Sequence, residues 1–474
     1  MPQTIDNNAR KNKIGIIGAG PGGLTAAMLL AHRGFDVTVL EKEKEVGGRS
    51  APITLGDFTF DTGPTFLMMK HVLDEVFESC DRKSTNYLQF KLLDPMYQLD
   101  FSDDLSVTIS NDKEKMKAEI NRVFPGNEKG LEKFYLKEGK RYRKIIDLGG
   151  SIFDNLGNYF KEEKLRICFT FQSKYLGMSP WECPAAFTMI PFVEHEFGIY
   201  HVMGGLSQIP KAMAKVVEEE NGQVLTDTTV TKILKNGKKV VGVQLADGKQ
   251  LNFDKVIVNA DFGYAMNEFF EPKELKKYSP EKLEKKNYSC STYMLYLGVN
   301  KKYQAPHHHI LFADDYRQNI ADISEGRLSD DFSFYVQNAS VTDESLAPSG
   351  KSAVYVLVPT PNNRANIDWD AEKDVYKEKV LDRVETHAGM SDIRDHIEVE
   401  KVITPKQWET DYNVYIGATF NLSHNLSQML YFRPHNRCSE IKNMYLVGGG
   451  THPGSGLPTI YISGIVTAGL ISKQ

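Results

Sequence analysis

The sequence predicts an α/β protein with a parallel sheet at its centre and an α+β region threaded through it. Three observations carry this. Residues 14–41 read as strand, glycine turn, helix and strand; a second glycine turn leads into an apolar helix near residue 458; and no repeat, low-complexity tract or Pro/Ser-rich linker lies between them. A strand–helix–strand run of this length implies a parallel pair with a crossover helix. Without linkers, the domains must interleave rather than follow one another. The expected division puts residues 1–80, 205–272 and 425–474 in one domain, and 81–204 with 273–424 in the other.

The elements follow in order. Ile14–Ile17 (IGII) is a short apolar run ending in glycines, which reads as a buried strand. Residues 22–33 place Leu24, Ala27, Met28, Leu30 and Ala31 near helical spacing, with Gly34 as a stop signal. FDVTVLE (35–41) alternates and is β-branched, a second strand. Residues 113–148 look helical and carry a basic run, KRYRK, at 140–144; residues 205–220 read as another helix. A β-rich stretch follows over 224–260, punctuated by Asn-Gly and Asp-Gly turns. The lysines between glutamates in 273–286 predict a solvated helical face. A mixed region over 290–420 contains a strand at 352–359 and a helix near 371–388. The chain closes with a strand at 443–449, a Gly/Pro turn and a helix over 458–471.

Composition narrows the function. At 474 residues the chain can form two or three domains. Its 41% hydrophobic and 25% charged content excludes disorder, collagen and coiled coil. Net charge is −5, so no global basic field draws phosphate, which argues against a nucleic-acid partner. Cys80, Cys168, Cys183, Cys290 and Cys438 are dispersed, without a C-x-x-C pair. That pattern offers neither a disulfide framework nor a zinc site and favours a reducing cytoplasm. The first thirteen residues are polar, so no signal peptide is expected. The longest stretch free of Lys, Arg, Asp and Glu, 443–472, is interrupted by Pro453, Pro458 and glycines, against a membrane-spanning helix.

Two constellations carry chemistry. Gly18-Ala19-Gly20-Pro21-Gly22-Gly23 matches G-x-G-x-x-G between a strand and a helix. Gly18 permits the tight turn, Gly20 lets backbone approach a pyrophosphate, and Gly23 lets helix and strand pack closely. The helix N-terminus then offers N–H groups and a positive dipole end. Glu41 closes the second strand, placed to accept from a ribose 2′-OH. Lys42 follows, then Val46-Gly47-Gly48-Arg49 and Phe60-Asp61-Thr62-Gly63-Pro64-Thr65. The glycine pair brings a second backbone segment to the pyrophosphate, and Arg49 can neutralise its charge; a surface salt bridge is the alternative for that arginine. The second constellation is Leu446-Val447-Gly448-Gly449-Gly450-Thr451-His452-Pro453-Gly454-Ser455-Gly456-Leu457-Pro458-Thr459. Here a helix opening with Pro458 again points its N-terminus at negative charge.

These motifs, THPGSGLP at 451–458 above all, resemble those of bacterial phytoene-desaturase-type carotenoid desaturases, within the amine-oxidase and carotenoid-desaturase superfamily. The resemblance runs from end to end and is weaker over 85–180 and 290–420. It implies a Rossmann-like domain holding FAD without a covalent link, a C40 carotenoid substrate, and oxygen or a quinone as electron acceptor. It also implies peripheral association with the cytoplasmic face of a membrane, for which Lys140–Lys144 is the expected contact. Val230 is implied to pack on the adenine, with Pro64–Thr65 and Leu457–Thr459 beside the flavin. The candidate cofactor-binding residues are thus Gly18, Gly20, Pro21, Gly22, Gly23, Glu41, Lys42, Gly48, Arg49, Gly63, Pro64, Thr65, Val230, Gly450, Leu457, Pro458 and Thr459. The closest subtype by resemblance is the hydroxycarotenoid 3,4-desaturases, with multi-step phytoene desaturases as the alternative. Desaturation of a polyene needs no strong base, because hydride departs from a carbon whose cation is delocalised and the neighbouring proton is then acidic. An amine-oxidase-like flavoenzyme and a lipid-binding chaperone on the same fold are the competing readings.

Catalytic candidates are few. Glu194, His195, Glu196 and His201 lie in an apolar context and offer a base or a polar anchor, the alternative being residues that only support or flank a substrate channel. His452 sits inside the second glycine turn, as a base or as the turn's own hydrogen-bonding strut. His307-His308-His309 is read as a solvated loop, since consecutive residues do not converge on one ion, and no metal is expected.

Overall fold

The computed structural model describes residues 12–142 and 149–473. Its central sheet has five parallel strands in the order Gln223–Leu225, Asp36–Leu40, Lys13–Ile17, Lys255–Val258, Met444–Leu446. Strand β1 (Lys13–Ile17), helix α1 (Pro21–His32) and strand β2 (Asp36–Leu40) are the predicted βαβ unit. The other three strands arrive from distant parts of the chain, so the sheet is assembled from three separate stretches. Helix α1 is buried from Pro21 to Ala31 and packs between helices Gln208–Glu219 and Leu457–Ser472. A helix covered all round needs small side chains where its neighbours approach, which is what Gly22, Gly23, Ala26 and Ala27 supply.

The β-rich stretch divides in two. Strands Val230–Asn236, Lys239–Leu245 and Gln250–Asn252 form their own antiparallel sheet, while Gln223–Leu225 and Lys255–Val258 join the central one. The second large unit is a seven-stranded mixed sheet, with Ser291–Val299, Ser352–Thr360, Phe334–Asn338 and His308–Leu311 at its middle. Helix Trp369–His387 covers one face of it through Trp369, Tyr376 and Val380.

Several expectations need correction. The region 113–148 is two helices, Lys113–Val123 and Glu128–Tyr142, parted at Pro125-Gly126; residues 143–148 lie outside the described residues. Pro125 cannot continue the first helix, and Gly126 adopts φ +88°. The lysine-rich stretch 273–286 holds one helical turn, Pro280–Glu284, although its lysines are exposed apart from half-buried Lys286. His307–His309 is no solvated loop: all three residues are buried, and His308–Leu311 is a strand between two others. Among the described residues no helix is long and apolar enough to cross a membrane, and no group of His, Cys, Asp or Glu is arranged to hold a metal.

Candidate active site

The cleft begins where β1 turns into α1. Gly18 adopts φ +95°, and its N–H donates to Leu40 O at 2.8 Å, which closes the turn. A Cβ on Gly23 would stand 2.4 Å from Gly18 O, so the helix can approach this closely only without a side chain there. Helix α1 starts at Pro21 with Gly20 as N-cap, and no side chain caps it. An uncapped, buried helix start lined by glycines leaves its first-turn N–H groups for an outside anion, so the residues present fit a pyrophosphate.

Glu41 is buried at the end of β2, and its carboxylate accepts from Ala19 N (2.7 Å) and Glu43 N (3.1 Å). Burial raises its pKa, and the two N–H bonds oppose that rise. It therefore braces the glycine loop while keeping lone pairs for a ribose hydroxyl. Thr228 N donates to Glu41 O, which brings buried Val230 to the same edge. Lys42 turns elsewhere, its ammonium donating to Asp411 O at 2.9 Å and pairing with Glu43.

The GGR segment lies over the loop: a Cβ on Gly48 would sit 3.7 Å from Gly20 Cα. Arg49 forms a salt bridge beside this loop. It pairs with buried Asp261 at 3.6 Å and donates to Thr419 O. Hairpin Pro52–Leu55/Phe58–Asp61 then returns the chain so that a Cβ on Gly63 would be 2.9 Å from Arg49 O. Three tyrosines of the seven-stranded sheet, Tyr296 and Tyr355 buried and Tyr335 half-buried, hold the turn that follows. Tyr296 donates to Thr62 O (2.6 Å), Tyr355 donates to Gly63 O (2.8 Å), and the Tyr335 hydroxyl lies 2.9 Å from Thr65 Oγ1. Pro64 is half-buried between them.

The second glycine turn meets the first through Asn259. Its amide donates to Gly18 O (3.0 Å) and Gly20 O (3.4 Å), and its Oδ1 lies 3.0 Å from where a Cβ on Gly22 would be. Gly450 is wedged against Asn421 and Phe262, where a Cβ would come within 2.4 Å of each. Asn421 in turn donates to Asp261 at 2.6 Å, so both ends of the cleft share one polar cluster. Helix Leu457–Ser472 opens with buried Leu457 and Pro458 and again has no side-chain cap. Thr459 directs its hydroxyl to its own turn, donating to Ser455 O at 2.7 Å.

His452 joins that turn through its backbone, its N–H donating to Pro434 O at 2.8 Å. The strut is Arg433, buried and donating to the carbonyls of Gly449, Thr451 (3.2 Å) and Leu422 (3.2 Å). Asn436 donates to His452 O (3.1 Å) and Ser463 Oγ (2.9 Å), and Ser455 N donates to His424 Nε2 at 3.1 Å. Burial lowers the Arg433 pKa to about 10, which leaves it charged at neutral pH. No sequence motif marked Arg433, His424, Asn259 or Asp261.

The other catalytic candidates are buried rather than superficial, Glu196 excepted. Glu194 accepts from Tyr97 OH (2.9 Å) and Gln172 Nε2 (2.8 Å). His195, its pKa lowered to about 4 by burial, has Nδ1 3.0 Å from Ser110 O. Glu196 is exposed and pairs with Lys113. His201 Nε2 lies 2.8 Å from buried Asp343. The structure thus places Glu194 and His201 in two different clusters. Phe66 stands between them, stacked on Tyr97 at 6.1 Å and edge-on to His308 at 4.2 Å.

Comparison with known proteins agrees with this geometry. The profile of flavin containing amine oxidoreductases matches residues 21–472. A 4,4′-diapophytoene desaturase (4,4′-diapolycopene-forming) of Methylomonas sp is 53% identical, covering 98% of this chain and 96% of its own. A zeta-carotene-forming phytoene desaturase of Myxococcus xanthus is 37% identical, covering 95% and 92%. Among solved structures, an oxidoreductase from Methanosarcina mazei superposes with TM-score 0.67 at 16% identity, covering 98% of this chain and 100% of its own, a likeness of fold. The chain belongs to the flavin containing amine oxidoreductase family and, within it, to the carotenoid desaturases: it is an FAD-dependent oxidoreductase acting on CH–CH bonds.

Proposed function

We propose that this chain desaturates an unhydroxylated acyclic polyene of the 4,4′-diapophytoene type, with the reacting carbons held against the Gly63–Thr65 turn. One observation carries this reading. The residue after that turn, Phe66, opens a run of ring contacts through Tyr97, Phe171 and Phe312 to Phe101, a wall suited to a polyene rather than an amine. The 53% identity with the Methylomonas enzyme supports the choice of substrate. FAD, when bound, supplies the hydride acceptor. The chain supplies the rest: α1 and Arg49 would hold the pyrophosphate and Glu41 the ribose, and the Leu457 helix start offers a positive dipole end to the ring. The apolar wall excludes water and aligns the substrate.

The alternative, 3,4-desaturation of a 1′-hydroxycarotenoid, needs a buried partner for the hydroxyl. The candidates at 194–201 are already engaged, Glu194 by Tyr97 and Gln172, His195 by Ser110 O, Glu196 by Lys113 at the surface and His201 by Asp343, and this favours the unhydroxylated substrate. The test supplies 4,4′-diapophytoene, phytoene and a 1′-hydroxycarotenoid separately to the yellow holoprotein and follows chromophore length. Conversion of 4,4′-diapophytoene with the hydroxycarotenoid untouched is the expected result; the reverse pattern reinstates the 3,4-desaturase.

A substrate of this kind dissolves in lipid, so the same proposal includes peripheral association with the inner face of a membrane. Lys140 and Arg141 end a helix, but Arg141 is bound to Glu138 and Asn155, and Arg143 and Lys144 lie outside the described residues. Leu426, Leu430, Tyr431 and Phe432 are better placed: Tyr431 is 78% and Phe432 67% exposed. Their loop is pinned to Asn287, at the end of the lysine-rich stretch, by Ser423 N and Gln428 Nε2. Aromatic rings flanked by lysines suit a lipid interface. The double substitution Tyr431→Ser/Phe432→Ser is expected to weaken binding to anionic vesicles by about a hundredfold or more, since burying each ring is worth about 1.5–3 kcal/mol. Unchanged co-sedimentation would move the contact elsewhere.

A further inference from the structure

Behind Thr65 stand three histidines that the site described so far does not use. The Tyr335 hydroxyl, 2.9 Å from Thr65 Oγ1, lies 2.7 Å from His308 Nδ1. The His308 ring is 4.2 Å from that of His307, centroid to centroid, and His307 is 5.0 Å from His201. His201 Nε2 ends the row on Asp343 Oδ2 at 2.8 Å. Asp343 accepts from Gly204 N and from the N–H and hydroxyl of Ser345. Gly204 and Ser345 also line a surface groove of about 500 Å³ that includes Ser207 and Lys211. The row therefore runs from the proposed reaction turn to solvent, its histidines, Thr65 and Asp343 buried and Tyr335 half-buried.

Packing alone does not account for this row. His307 and His308 each spend Nδ1 on a hydroxyl, Thr342 at 2.8 Å and Tyr335, and both leave Nε2 buried without a partner. Buried polar atoms of this kind are ordinarily met by ordered water. Burial holds both imidazoles neutral, His307 pushed down to about 3 and His308 well below its usual value. A neutral imidazole donates at one nitrogen and accepts at the other, which is what a relay requires. The other charged groups acting on the row are Lys91, from strand Phe90–Leu92, and Asp61, whose carboxyl burial raises to about 6.

We propose that His308, His307 and His201, joined by buried water, form a proton path that carries the proton released by desaturation from the Thr65–Tyr335 hydroxyl pair to Asp343 and the groove. The proposal rests on the reading that Thr65 lies beside the reacting carbons. Each new double bond breaks two C–H bonds. One hydrogen leaves with its electron pair as hydride to the flavin; the other leaves as a proton, and its electron pair becomes the π bond. That proton enters at the hydroxyl pair, an equivalent proton passes along the row, and one proton reaches water in the groove, so no side chain changes state overall. These histidines are positioning residues, acting through Tyr335 and Thr65.

The test uses the FAD-loaded full chain with 4,4′-diapophytoene in phosphatidylcholine vesicles, in anaerobic single turnovers read by flavin bleaching. His308→Gln and Asp343→Asn stand at opposite ends of the row. Each is expected to slow bleaching by about tenfold or more, with a larger solvent deuterium isotope effect and partial rescue of His308→Gln by added imidazole. Rates and isotope effects like those of the wild type, or loss of flavin from both variants, would overturn the proposal. An activity-free arm is a high-resolution crystal structure of the holoprotein. Water within hydrogen-bond reach of Nε2 on His307 and His308 is expected, and a dry row, or one filled by a substrate hydroxyl, overturns the path. If the wild type fails to bleach with this polyene, the substrate reading falls, while the crystal structure still decides the path.

Discussion

Gly20→Val should yield a folded protein that binds no flavin. Gly20 sits in extended backbone, φ −74° and ψ 169°, which valine adopts readily. A Cβ there would approach Asn259 Nδ2 at 3.1 Å, and an amide at the end of a side chain can yield that distance. The branch methyls then occupy the space in front of the α1 N-terminus where the pyrophosphate must lie. Hydrogen bonds to charged groups are worth about 1.5–3 kcal/mol each, so losing two weakens binding by about a hundredfold or more. Gly23→Val provides the contrast. Its Cβ would meet Gly18 O at 2.4 Å and Asn259 Nδ2 at 2.7 Å, so this variant should lose folding as well as flavin. Absorbance near the flavin bands after reconstitution, with urea unfolding as the fold control, separates the two. A yellow Gly20→Val protein would show that the pyrophosphate is held elsewhere.

Arg433→Met is expected to be the most destabilising single change away from the glycine loops. Methionine fills a similar volume, but the carbonyls of Thr451 and Leu422 lose their donor inside the protein, and Gly449 O keeps only Ser455 Oγ at 3.3 Å. An unmet buried carbonyl costs about 1–3 kcal/mol, so a loss of about 3–5 kcal/mol is expected, near the top of what single substitutions do. Lysine is a poor replacement, because a single ammonium cannot span three diverging carbonyls. The turn that carries Gly449 and Thr451 orients the start of helix Leu457–Ser472, so flavin should also be released at lower temperature. Denaturant unfolding and flavin fluorescence on heating measure the two effects; a change below about 1 kcal/mol would mean that Asn436 and His424 hold the turn without the arginine.

Much of the geometry of the candidate site was legible because its devices are local. Gly18, Gly23 and Pro458 act through the backbone of their own turns, and Glu41 lies at the end of the strand that the loop opens onto, so spacing alone places them. The apolar periodicity of 14–41 and 458–471 likewise set strand and helix without help from elsewhere. Where the Lys42 ammonium goes is not local: a long flexible side chain takes whichever partner the fold offers, here Asp411 O.

The histidine run shows the other side. Read as sequence, three consecutive polar residues suggest a loop in water. In the fold, that segment runs beside strands Phe334–Asn338 and Tyr97–Asp100, and the imidazoles of His307, His308 and His309 find Thr342, Tyr335 and Asp100 respectively. Partners 27 to 209 residues away make burial affordable, and no local pattern announces them. The same holds for Arg433, Asn259 and Asp261, lone polar residues whose roles come from carbonyls and cations brought in by other segments. Backbone turns and hydrophobic periodicity, which depend on neighbours in the chain, were thus determined by the sequence alone. Which polar side chains are buried, what they hold, and how three distant stretches make one sheet were decided by tertiary structure, because each depends on contacts that exist only once the chain has closed.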